Sequence, residues 1–72
     1  MRTVYFDKDG NEVTLYIDGE EAGSFKDADA LGKCLIRNKL DIFDYFNYTG
    51  DVADCEASMR MIDRACEMVK RY

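Results

Sequence analysis

The chain has no histidine, no proline and no tryptophan, and only three cysteines among its 72 residues. Without imidazole, a serine or cysteine nucleophile lacks its usual proton acceptor, which argues against nucleophilic catalysis. Cys34, Cys55 and Cys66, spaced 21 and 11 residues apart, contain no C-x-x-C pair. An odd set would leave one thiol over from any disulfide framework, so the cysteines read as reduced. The same spacing lacks the close ligand pairs of structural zinc sites. Long apolar runs are absent as well. The opening stretch from Met1 to Gly10 becomes charged before a signal-peptide core can form, and nothing later approaches the ~18 apolar residues of a membrane span. The expected location is therefore the cytoplasm. No glycine-rich loop follows a strand and opens a helix, so no phosphate cradle and no cofactor is expected.

What is present is negative charge. Fifteen acids against ten bases give a net charge of −5, which opposes direct binding to nucleic acid or an anionic membrane and favours a partner with a basic surface. The charge is uneven: residues 1–25 sum to −4, residues 26–40 to +2, residues 41–56 to −5 and residues 57–72 to +2. At this length a domain buries only about 60 to 65% of its unfolded surface, so burial against a second chain is one remedy for a thin core.

Alternating β-branched and aromatic residues over 1–26 predict a three-stranded antiparallel β-meander. Strand one runs from Thr3 to Phe6, strand two from Asn11 to Ile17 and strand three from about Glu20 to Phe25. Val13, Leu15 and Ile17 form a core face, and Glu12, Thr14 and Tyr16 a solvated one. Asp18-Gly19 predicts a type I′ turn. A strict two-residue turn would put Phe25 on the wrong face, so a bulge is expected near Gly23.

Residues 27–49 read as a helical region, N-capped by Asp27 with Asp29 in the first turn. Its stripe of Ala28, Leu31, Leu35, Ile42, Phe43 and Phe46 is interrupted by a kink or break near residues 38–41, and Gly50 is the expected C′ residue. Residues 51–72 form the clearest element, a long amphipathic helix capped by Asp51 or Asp54. Val52, Cys55, Met59, Ile62, Cys66 and Val69 recur at intervals of 3 and 4 along it. About 30 Å of helix exceeds what a small sheet covers, so this seam is a candidate homodimer surface. The expected fold is α+β, one domain, with two helices packed on one face of the meander.

Among candidate sites, Asp7-Lys8-Asp9-Gly10-Asn11 opens like an EF-hand loop but fails at Glu12 and Asp18, which leaves a polar turn and no metal. The segment from Asp41 to Asp51 packs four aromatics among three acids with no base. Read as a helix, it turns Ile42, Phe43 and Phe46 inward and leaves Tyr45 and Tyr48 beside the carboxylates, a composition common in interface anchors. Asp41, Asp44, Tyr45, Tyr48, Asp51, Asp54 and Glu56 are therefore the expected partner-binding residues, with Asp18, Glu20 and Glu21 as a second acidic patch. In size and composition alone the chain resembles bacteriophage host-takeover and anti-defence proteins, which would place it in the host cytoplasm. The function expected is that of an acidic inhibitor or adaptor, not an enzyme, occupying a basic surface on a larger, nucleic-acid-handling protein as a nucleic-acid mimic. The alternative is a homodimer or complex subunit built on the C-terminal seam.

Overall fold

Alternation in the N-terminal quarter produces the expected meander. In the computed structural model, which describes residues 1–41 and 43–72, β1 (Thr3–Asp9), β2 (Glu12–Ile17) and β3 (Glu20–Phe25) are consecutive antiparallel strands. β1 runs three residues further than its apolar pattern suggests, because Asp7, Lys8 and Asp9 pair with Thr14, Val13 and Glu12. The turn is Gly10-Asn11, and the EF-hand-like residues lie mostly in a ladder. The second turn has positive φ at both Asp18 (51°) and Gly19 (87°), as a type I′ hairpin requires. Asp18 adds a tether, its Oδ1 accepting from the Thr3 amide at 2.9 Å.

The bulge falls where phase demands it. Leu15 pairs with Gly23 and Tyr16 with Glu21, leaving Ala22 unpaired, after which Phe25 sits opposite Val13 on the core side. Gly23 is required there: its φ is +151°, and a Cβ would lie 2.9 Å from the Phe25 ring.

Helix α1 (Ala28–Arg37) is capped by Asp27, whose carboxylate accepts from the Ala30 amide at 2.8 Å. It stops rather than kinks. The Leu40 amide donates to the Leu35 carbonyl and the Lys39 amide to that of Ile36, the paired bonds of a Schellman motif. Lys39 takes the left-handed conformation at φ 59°, and Leu40 is buried beside Leu35. Anchoring Leu40 in the core turns the chain away from the helix axis.

The residues beyond therefore do not continue the helix. Tyr45–Tyr48 forms a fourth strand, β4, parallel to β1, in a sheet ordered β3-β2-β1-β4. The α1 crossover carries the chain over β2 and β1, as a parallel pairing needs. Phe46 and Tyr48 turn to the core side, where both rings lie against Phe6 at centroid distances of 5.9 and 5.6 Å. Phe43, expected inside, is 76% exposed. Ile42, expected beside it, lies outside the described residues.

The C-terminal helix is also divided. Thr49, whose hydroxyl accepts from the Val52 amide, caps a short α2 (Gly50–Ala53), with Gly50 as its first residue and Asp54 as its C-cap. Cys55, in extended conformation, then precedes α3 (Glu56–Arg71). Sixteen residues span about 24 Å, and α3 residues from Met59 to Val69 reach the core. α1 and α3 lie together on one face of the sheet. Between the layers are Val4, Phe6, Val13 and Leu15 from the sheet, Leu31, Cys34 and Leu35 from α1, and Val52, Ile62 and Ala65 from α2 and α3. The helices approach closely at Gly32, where a Cβ would collide with the Met68 side chain. The heptad seam is thus spent inside the monomer. Val52 and Ile62 have no exposed surface, and Met59, Cys66 and Val69 pack, partly buried, against the same core.

Candidate functional site

Two helices on one side leave the other face of the sheet uncovered. Side chains alternate across a strand, so this open face carries Thr3, Tyr5, Asp7 and Asp9 from β1, Glu12, Thr14 and Tyr16 from β2, Glu21 and Ser24 from β3, and Tyr45 and Asn47 from β4. None of them is Lys or Arg. Tyr5 and Tyr16 are paired across β1 and β2, with ring centroids 6.0 Å apart and planes tilted by 56°. With Thr3, Asp7 and Gly19 they line a shallow depression of about 380 Å³. Asp7 is held in place by its own backbone, Oδ1 accepting from the Lys8 amide at 2.7 Å. Thr14 and Ser24 share a 2.9 Å hydroxyl contact that stiffens the same face. Tyr45, 59% exposed, stands beyond Thr3 at the β4 end.

The residues expected to form one partner-binding patch are dispersed, from the entry of β4 to the start of α3, whose first residues lie near Lys8 and Lys26. Tyr45 is on the open face. Tyr48 is on the opposite face, stacked on Phe6 with a 12° interplanar angle, and burial, then the nearby Cys66 and Asp63, raise its hydroxyl pKa. Asp44 has a structural task. Its Oδ1 accepts from the Arg2 amide at 3.0 Å and its Oδ2 from the Asp41 amide at 2.8 Å, and these bonds, that from Asp41 foremost, hold the carboxyl below its ordinary pKa. Asp41 stays exposed while accepting from the Phe43 amide at 3.2 Å. Asp51 and Asp54 lie exposed on α2 at the other end of β4, about 13 Å of strand away. Glu56 opens α3 and pairs with Arg60 at 2.8 Å in a solvent-exposed bridge, which contributes little to stability. In the second patch, Asp18 is tied into its turn, while Glu20 and Glu21 are exposed on β3 and point to opposite faces.

The three thiols are free and differ in chemistry. Burial raises the pKa of Cys34 and Cys66. The hydroxyl and amide of Ser58 lower that of Cys55, although the Cys55 side chain makes no capping bond to α3.

Tyr5 and Tyr16 were not singled out in the sequence. The available signal was an alternation whose supposedly solvated face carried tyrosines, which are wide apolar rings with one polar end. Among the described residues no group of three or more metal-binding side chains converges, and no helix is long and apolar enough to cross a membrane. Compared with protein-family models, with curated proteins and with solved structures, the chain matches none.

Proposed function

We propose that this chain is a protein-binding module, an acidic inhibitor or adaptor, that engages a basic partner through the open face of its sheet. The observation supporting this most directly is the Tyr5–Tyr16 pair with Asp7 beside it, on a face whose charged strand positions are all carboxylates. A Lys or Arg side chain laid against the rings gains cation–π attraction, worth about 0.5 to 2 kcal/mol as water is excluded, and finds its counter-ion in Asp7. Tyr45 extends the aromatic surface, and Asp9, Glu12 and Glu21 supply a field that speeds the encounter with a cationic surface.

A tyrosine-bearing sheet face also suits stacked nucleobases. Each base brings a phosphate, however, and no open-face strand position supplies a cation for it. The charge thus selects a basic protein over a nucleic acid.

Affinity capture from cell extract tests the reading. A basic protein should be retained at low salt, released at about 0.5 M salt where the Debye length falls to a few ångströms, and lost to the Tyr5→Ser/Asp7→Asn variant. Equal retention by that variant, or no basic protein at low salt, overturns it.

A further inference from the structure

The outer edge of β4 is chemically distinct from the open face. β4 is the last strand of the sheet and pairs only with β1. The Tyr45 amide donates to the Arg2 carbonyl at 2.9 Å and the Thr49 amide to that of Phe6 at 3.1 Å, so Tyr45, Asn47 and Thr49 direct their backbone groups toward β1. Strand alternation then points the N–H and C=O of Phe46 and Tyr48 outward. Such a row of free backbone groups is a template for another strand.

Apolar surface gathers beside it. Apart from the chain end Tyr72, the large apolar side chains exposed among the described residues are Met1, Tyr5, Phe43, Tyr45 and Tyr48, all on β1, on β4 or just before them. The edge itself, Tyr45-Phe46-Asn47-Tyr48, has no charge, no proline and no bulge. Acids flank it: Asp41 and Asp44 lead into the strand and Asp51 and Asp54 follow it, with no base between residues 41 and 56.

We infer that this edge accepts an extended, lysine- or arginine-bearing segment of the basic partner as a fifth strand beside β4. The inference rests on the function proposed above and adds how the partner's backbone is held. Charge decides between occupants. Two copies joined edge to edge in antiparallel fashion would set the Asp41–Asp44 end of one strand against the Asp51–Asp54 end of the other, and like charges facing across strands are destabilising. A cationic strand meets Asp51 and Asp54 at one end, and at the other Asp41 and Asp44, whose charge Arg2 and the N-terminal amine partly offset.

The probe is a short, end-blocked peptide of alternating lysine and valine, titrated into the isotopically labelled full chain and followed by backbone amide NMR. At low salt the Phe46 and Tyr48 amides are expected to shift and gain protection from solvent exchange, a readout that requires no variant. A chain assembled by ligation at Cys55 and carrying N-methyl Tyr48 keeps every side chain and the β1 pairing but loses an outward donor. It should bind the peptide about tenfold more weakly. If the peptide perturbs only Tyr5 and Tyr16 and the N-methyl chain binds equally well, the edge inference fails while the open-face reading stands. Binding nowhere at low salt removes both. Shifts of Phe46 and Tyr48 that grow with protein concentration in the absence of peptide assign the edge to a second copy and overturn the cationic occupant.

Discussion

The two edges of this sheet are built by opposite rules. β3 places Glu20 and Glu21 at its start and breaks its ladder with the Ala22 bulge, and charge and a bulge both discourage a neighbouring strand. β4 offers four uncharged residues, three of them aromatic, in an unbroken register with β1. A small protein that needed only to avoid aggregation would protect both edges. One edge is thus guarded against a neighbouring strand and the other is bare, the asymmetry on which the proposed strand addition rests.

The comparison breaks most completely if β4 loses its anchor. Phe6 is fully buried and touches both Phe46 and Tyr48, so Phe6→Ala should cost about 3 to 5 kcal/mol in urea denaturation. That is a large fraction of the stability of a domain this size. Native-state hydrogen exchange should show the β4 amides opening before those of β2. A Phe6→Ala chain whose β4 protection is unchanged would mean that β4 is held by something other than those rings.

Removing the guard on the other side is a smaller perturbation. Gly23→Ala puts a Cβ 2.9 Å from the Phe25 ring at a φ of +151°, a strain of about 1 to 3 kcal/mol. Loss of Phe25 packing should accompany it, seen as a lower urea midpoint. If the variant is as stable as the parent, the bulge is not fixed by that contact.

The smallest effect sharpens the comparison through pH. Asp44 ties the entry of β4 to the start of β1, and its carboxyl pKa lies below the ordinary value because of the Asp41 and Arg2 amides. A depressed folded-state pKa contributes stability above the unfolded value of about 3.9, lost as pH falls through the folded pKa. The melting temperature should therefore drop between about pH 5 and pH 2 more steeply in the parent than in Asp44→Asn. Parallel profiles would show that the loop bonds do not depend on the carboxylate charge.

Much of the β3 side was legible in the sequence. The Asp18-Gly19 turn, the bulge beside Gly23 and the Asp27 cap all follow from local chemistry, and each is seen in the structure. The β4 side was not. Ile42, Phe43 and Phe46 fit a helical stripe as well as Phe46 and Tyr48 fit one face of a strand, and short apolar runs do not distinguish the two. What decides is the Leu40 anchor and a pairing with β1 some forty residues earlier, and neither is a local property. The role of the α3 seam was open for a related reason. A repeat at 3 and 4 shows that a helix has an apolar side without saying whether α1 or another molecule covers it. The Tyr5–Tyr16 pair became visible only when both helices proved to lie on the opposite face.

The order of the strands along the chain also sets the order in which they can meet. The three antiparallel strands are joined by tight turns and close cheaply, whereas joining β4 to β1 requires the whole α1 crossover to be in place. During synthesis the hairpins emerge first, so the flank of β1 stays uncovered until residues 45–48 arrive. In that interval the nascent chain displays Val4 and Phe6 beside an open ladder, a short-lived vulnerability to off-pathway association that ends when the chain supplies its own last strand.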